Sequence, residues 1–65
     1  MLIWINQQTY ELPLGATLQD AIALTPIAPP FAAAVNAQFV PKTQYDQTLL
    51  DDNDKIELIV PITGG

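Results

Sequence analysis

The residues with the clearest chemical potential are the last two, Gly64 and Gly65, which end the sequence in a carboxylate with no side chains beside it. Two glycines allow an extended segment to enter a narrow channel, because only backbone has to fit. Pro61 and Thr63 favour an extended chain, and at about 3.3 Å per residue the stretch from Pro61 onward reaches roughly 16 Å. The pattern predicts that a partner enzyme acts on the terminal carboxylate. The alternative is an ordinary chain end, where small residues are tolerated.

The composition removes the usual catalytic groups from this chain. Cys, His, Ser and Arg do not occur in the sequence, which excludes a Ser-His-Asp or Cys-His nucleophile system, a thiolate metal site and a disulfide. Lys42 and Lys55 are the only basic residues, and seven acidic residues give a net charge of −5. A chain this acidic is not expected to bind nucleic acid or an anionic membrane. We therefore expect no catalytic residue here, and chemistry at Gly65 has to come from a partner.

The acidic run Asp51, Asp52 and Asp54 is the remaining candidate for a metal site. A calcium loop places its ligands at alternating positions, followed by a glycine and a distant glutamate. Here the alternating positions reach Lys55 or Ile56, neither of which offers a carboxylate. The run is therefore predicted to be a solvated turn, and no metal is expected.

Short strands and one helix have to position the C-terminal glycines. The helix is predicted from Leu18 to about Leu24, because Thr17 is a suitable N-cap, Asp20 favours the first turn and Pro26 stops the helix. The order of elements predicts a two-layer α+β domain with the helix across one face of a mixed sheet. The predicted strands are Met1–Asn6, Thr9–Leu14, Phe31–Asn36, Phe39–Pro41 and Lys55–Ile62.

Alternation along the strands predicts which side chains point away from the helix. If Ile3 and Ile5 pack against the helix, the side chains next to them in the first strand face away from it. In the last strand, the same alternation predicts that Ile56, Leu58 and Val60 face the helix. An exposed apolar patch is typical of a partner interface. The alternative is that Trp4 is one partly exposed apolar residue of the kind that is common on protein surfaces, which needs no partner to explain it. The predicted partner interface consists of Leu2, Trp4, Ala34, Ile59 and Pro61.

Several runs of the sequence carry a family resemblance. These are Pro29–Asn36 (PPFAAAVN), Phe39–Tyr45 (FVPKTQY), Asp52–Gly65 (DNDKIELIVPITGG), the opening MLIWIN, and Gly15–Ile22 (GATLQDAI). Together they resemble the ThiS family of bacterial sulfur carriers for thiamin biosynthesis over essentially the whole chain. The resemblance implies a ubiquitin-like β-grasp fold, with about five strands and one main helix on one face of the sheet. Residues 1–62 are then expected to form the domain, and residues 63–65 a flexible tail.

The resemblance also implies a reaction cycle at the tail. A ThiF-type adenylyltransferase uses ATP to adenylate the Gly65 carboxylate, and sulfur supplied by way of a cysteine desulfurase replaces AMP to leave a thiocarboxylate. Thiazole synthase (ThiG) then takes that sulfur. In this scheme the chain is not an enzyme, binds no cofactor, and uses Gly64 and Thr63 as its flexible tail. Because the implied fold pairs the first and last strands, we expect Trp4 and Ile59 to be in cross-strand contact.

Departures from the family pattern are confined to two turns. Asn6-Gln7 stands where Asn-Gly is common, and Asn53 stands where a glycine is common; Asn tolerates positive φ, so the turn at Asn53 is expected to survive.

Other functions stay open from the sequence alone. A carrier like the small subunit of molybdopterin synthase stores sulfur in the same way, a ubiquitin-like modifier joins its terminus to a lysine, and an interaction module has no chemistry at its end. No basic leader or long apolar run is visible, so the expected location is the cytoplasm.

Overall fold

Residues 1–61 are described by the computed structural model, and they form five short strands and one short helix. In chain order the elements are β1 (Leu2–Ile5), β2 (Gln8–Glu11), α1 (Leu18–Ile22), β3 (Ala32–Val35), β4 (Gln38–Val40), a 3-10 turn (Lys42–Gln44) and β5 (Lys55–Ile59). Of the helices within residues 1–61, none has the length and apolarity that a bilayer crossing requires.

The five strands form one mixed sheet in the order β2-β1-β5-β3-β4. The central pair, β1 and β5, is parallel, while the other three pairs are antiparallel. The helix lies in the connection between β2 and β3, as in the β-grasp fold. The predicted fold class, a mixed sheet of about five strands with one main helix, is therefore confirmed.

The last strand is shorter than predicted. β5 ends at Ile59, which pairs with Ala32. In that antiparallel register Pro61 falls opposite Pro30, and neither proline has an N–H to continue the ladder. The strand prediction was therefore wrong beyond Ile59, and its final residue, Ile62, lies outside the described residues, as does the proposed boundary between domain and tail.

The other strands lose only one to three terminal residues each against their predicted ranges, and two of them begin one residue early, at Gln8 and Gln38. The helix starts where predicted but ends at Ile22 instead of Leu24. Its last turn tightens, since Leu24 and Thr25 donate to carbonyl oxygens only three residues back, before Pro26.

Two-residue turns close both hairpins. Asn6 and Gln7 connect β1 to β2 with φ of 47° and 73°, and Asn36 and Ala37 connect β3 to β4 with φ of 51° and 69°. Positive φ at both central residues is the type I′ pattern, whose twist matches that of paired strands. The left-handed conformation expected of Asn53 is also confirmed, with φ of 70°.

The helix covers one face of the sheet, here called the inner face. Thr17 begins α1 with a capping box: its hydroxyl accepts from the Asp20 N–H at 3.3 Å, and its own N–H donates to the Asp20 carboxylate at 2.9 Å. The helix buries Leu18, Ala21 and Ile22 against the sheet. The strand residues of this core are Ile3, Ile5, Ala33, Val40, Ile56 and Leu58.

The predicted alternation is confirmed for the strands themselves. Ile3, Ile5, Ile56 and Leu58 are all buried on the inner face. Val60 was predicted to join them, and this was wrong, because 50% of it is exposed. It follows the end of β5, where the alternation of a strand no longer fixes the side-chain direction.

Candidate functional site

The face of the sheet opposite α1, here called the outer face, carries apolar side chains in two groups. One group is Leu2 and Trp4 on β1, each 37% exposed. The second group, here called the tail-side patch, consists of Ala32, Ala34, Phe39 and Ile59. The structure therefore places the predicted interface residues of β1, β3 and β5 on the outer face, although not in one cluster.

Strand register assembles the tail-side patch. Phe39 on β4 pairs with Ala34 on β3, and Ala32 on β3 pairs with Ile59 on β5. Directly paired residues hold their Cβ atoms about 4.5–5.5 Å apart, so these side chains form a continuous surface. Phe39 is 69% exposed and Ile59 is 56% exposed. Glu57, which pairs with Ala34, adds one exposed carboxylate to this surface.

The expected contact between Trp4 and Ile59 is wrong. β1 and β5 are indeed paired, but the parallel register places Trp4 opposite Lys55. Ile59 lies four residues further along β5, which corresponds to roughly 13 Å at the rise of a parallel strand. The cross-strand neighbour of Ile59 is instead Ala32, on the other side of β5.

Phe39 is the outer-face residue that the sequence reasoning missed. Successive side chains of a strand point to opposite faces, and Val40, which follows Phe39 in β4, is buried on the inner face. Phe39 therefore points to the outer face. The signal was available in the two-residue turn at Asn36-Ala37, because a turn of that length fixes Ala34 opposite Phe39.

The base of the C-terminal segment borders the tail-side patch. After Ile59 the chain leaves the sheet through Val60 and Pro61, both exposed. The three tail residues predicted to be functional, Thr63, Gly64 and Gly65, lie outside the described residues. Pro61, predicted as part of the interface, is thus the last described residue before them.

Two asparagine side chains bind the backbone of β5, one near each end. Near the exit, the carboxamide of Asn6 accepts from the Leu58 N–H at 2.9 Å and donates to the Leu58 carbonyl at 3.1 Å. At the start of β5, the Asn36 side chain accepts from the Lys55 N–H at 3.0 Å and donates to the Asp54 carboxylate at 2.9 Å. The sequence placed Asn6 in a turn and Asn36 at the end of a predicted strand, and it did not predict either contact with β5, because both contacts depend on where β5 passes.

The acidic turn uses its carboxylates for local hydrogen bonds. Asp52 accepts from the Leu2 N–H at 2.7 Å, and Asp54 accepts from the Asp51 N–H at 2.7 Å. Within residues 1–61 no group of three or more acidic side chains could hold a metal ion. The carboxylates of the run therefore close a turn and attach it to β1.

Comparisons with known proteins agree on one family. A family model described as the ThiS family matches residues 3–65. The crystal structure of a thiamine biosynthesis protein (ThiS) from Geobacter metallireducens aligns with a TM-score of 0.80 and 16% identity, covering 100% of both chains. No curated protein sequence matches this chain. At that identity the structural likeness establishes a shared fold, while the family match runs through the final two glycines.

Proposed function

Because this chain belongs to the ThiS family, it is a sulfur carrier of thiamin biosynthesis, and we propose that Gly65 is the residue that carries the sulfur. The observation that supports this most is the extent of the family match, which includes Gly64 and Gly65. The composition supports it as well, since the chain has no Cys that could hold sulfur as a persulfide.

Gly65 has to be activated before it can accept sulfur. A carboxylate is a poor electrophile, because attack on it must overcome its negative charge and its resonance. In our proposal a ThiF-type adenylyltransferase transfers AMP from ATP to the Gly65 carboxylate and releases pyrophosphate. Persulfide sulfur, supplied through a cysteine desulfurase, is reduced by a thiol that becomes a disulfide, and the resulting sulfide-level nucleophile forms the C–S bond as the bond to AMP breaks. Hydrogen-bond donors of the partner enzyme stabilise the oxyanion that forms when the sulfur adds to the acyl carbon and before AMP leaves.

The resulting thiocarboxylate is the form that delivers sulfur. We propose that thiazole synthase, ThiG, takes the sulfur and returns the carboxylate. The chain acts throughout as a co-substrate in the cytoplasm: ATP binds to the activating enzyme, and no residue of this chain acts as a catalyst. This role requires only that the chain presents Gly65 to each partner in turn.

The outer face is the proposed docking surface for these partners. Phe39 and Ile59 are large apolar residues more than half exposed, and exposed apolar patches are typical of interfaces. The tail-side patch borders the exit of β5, so a partner that holds Gly65 meets this part of the surface first. Ala34 lies within the tail-side patch, and Pro61 follows the exit of β5. Leu2 and Trp4 form the second, separate group of the proposed surface, on β1.

The length of chain beyond the sheet fits this arrangement. Six residues follow Ile59, and an extended chain of that length spans roughly 20 Å. The distance is sufficient for Gly65 to enter a nucleotide site while the folded domain stays docked outside. The lack of side chains on the last two residues suits a narrow channel.

The experiment that tests this proposal is ATP–pyrophosphate exchange catalysed by a ThiF-type enzyme. The wild-type chain should support exchange, whereas a chain lacking Gly65, or one with an alanine appended after it, should not. Melting temperature is the control, and we expect it to be the same for all three, because the changes lie beyond the described core. Full exchange by the extended chain would contradict the proposal.

The products separate the proposed carrier from the other functions. With a sulfur source added, a carrier gains a thiocarboxylate, a protein modifier gives conjugates of higher mass, and an inert module stays unchanged. Transfer of the sulfur to thiazole synthase rather than to a molybdopterin synthase then distinguishes the two kinds of carrier.

A further inference from the structure

Asn6 occupies a position from which it can control the base of the C-terminal segment. The backbone of β1 pairs with β5 as far as the Asn6 N–H, which donates to the Ile56 carbonyl at 3.0 Å. The chain then turns away into β2. The next N–H and C=O of β5 that face β1 are those of Leu58, and the Asn6 carboxamide binds both of them. The side chain thus takes the place of the backbone that a longer β1 would have offered.

This bond pair lies close to the point where β5 leaves the sheet. Leu58 is 5% exposed, so its N–H and C=O need partners there. One residue later, Ile59 forms the last pair with β3, and six residues then lead to Gly65. Without Asn6 the β1 side of Leu58 loses both of its hydrogen bonds, and only the pairing with β3 holds the end of the strand.

We propose that Asn6 is a positioning residue, which fixes the direction in which the C-terminal segment leaves the sheet and so sets where Gly65 is delivered. This inference rests on the proposed function of Gly65, but it concerns a different part of the reaction. The docking surface determines whether the partner binds the domain. Asn6 determines how often the bound domain places the carboxylate correctly.

Asn36 supplies a matched control within the same chain. It occupies the same position of an equivalent turn, with φ of 51° against 47° for Asn6, and its side chain also makes two hydrogen bonds, one of them to the β5 backbone. Those bonds lie at the start of β5, away from the exit. Substitution by glycine keeps the left-handed turn at either site, because glycine adopts positive φ readily. Asn6→Gly and Asn36→Gly therefore remove similar bonds from opposite ends of one strand.

The test is steady-state ATP–pyrophosphate exchange with a ThiF-type enzyme, measured below the melting temperature of the least stable variant. We expect Asn6→Gly to lower kcat about tenfold while the KM for the carrier changes less than twofold, and Asn36→Gly to leave both within twofold of wild type. Asn6→Asp keeps the turn but replaces the donor to the Leu58 carbonyl with an acceptor, so the same loss of kcat is expected from a second, independent variant.

Amide hydrogen exchange provides a readout that needs no partner. Asn6→Gly should accelerate exchange of the Leu58 amide at least tenfold relative to the Ile56 amide, and Asn36→Gly should not. Equal kcat for the two glycine variants, a rise in KM without a fall in kcat, or an unchanged Leu58 amide would each overturn the role of Asn6. Failure of the wild-type chain to support exchange would overturn the proposed function of Gly65 instead, and the Leu58 amide would then decide whether Asn6 holds the base of the segment.

Discussion

Truncating Phe39 to alanine tests whether the outer face is a docking surface. Phe39 lies on β4 in the tail-side patch, and 69% of it is exposed. Replacing a fully buried phenylalanine by alanine lowers the free energy of unfolding by about 3–5 kcal/mol. Folding hides only about a third of the Phe39 side chain, so Phe39→Ala should lower the free energy of unfolding by about 1 kcal/mol. The domain should therefore remain folded.

The effect on partner binding should be larger than the effect on stability. An aromatic anchor at the centre of an interface contributes about 2 kcal/mol or more, which corresponds to roughly a thirtyfold rise in Kd. We expect Phe39→Ala to raise the KM for the carrier in ATP–pyrophosphate exchange by about that factor, with kcat little changed. Both quantities are measured on the same preparation, by chemical denaturation and by exchange kinetics.

Two control variants separate docking from folding. Val40→Ala, next to Phe39 but only 9% exposed, should cost about 2 kcal/mol of stability, since it removes two buried carbon atoms and leaves a cavity, and should leave KM unchanged. Leu14→Ala changes an apolar residue with 85% exposure, which lies in the connection between β2 and α1, and should change neither quantity much. An unchanged KM in Phe39→Ala, or an equal rise in Leu14→Ala, would refute the docking surface.

Three further predictions follow from the same account. Gly64→Val should lower the rate of adenylation about tenfold, equivalent to about 1.4 kcal/mol, with unchanged melting, and a wild-type rate would mean that no narrow channel encloses the tail. Ile5→Ala should destabilise the domain by about 2–5 kcal/mol in chemical denaturation and leave partner binding unchanged, because Ile5 is 2% exposed. Trp4→Ala should cost about 2 kcal/mol, because folding hides about two thirds of this side chain, and should also weaken partner binding; weaker binding in Ile5→Ala with none in Trp4→Ala would invert the assignment of the two faces. Association with the activating enzyme should slow as salt rises, because a carrier with a net charge of −5 is expected to meet a basic surface, and a flat salt response in stopped-flow measurements would contradict this.

Features that depend on neighbouring residues could be predicted from the sequence. The capping residue Thr17, the left-handed Asn53 and the alternation of Ile3 with Trp4 each follow from a few adjacent residues, and the structure confirms all three. The sheet face of each strand residue follows from the same local rule. The fold class could be predicted because these local features and the family resemblance led to the same order of elements.

Features that depend on register between distant segments could not be predicted in this way. The offset of Trp4 from Ile59 is set by the pairing of strands about fifty residues apart, which no local pattern determines. The early end of β5 depends on two prolines that become opposite each other only in the folded sheet. The binding of Leu58 by Asn6 likewise requires the path of β5. The role of the final glycines stays a prediction from the motif and the family.

The most direct measurement of the central claim is the mass of the intact chain and of its C-terminal fragment, after purification from the cells that produce it. The account predicts a fraction whose mass exceeds that of the sequence by one sulfur minus one oxygen, with the whole difference located at Gly65. A chain found only with its unmodified carboxylate during active thiamin synthesis, or a sulfur located at any other residue, would contradict the claim that Gly65 carries the sulfur.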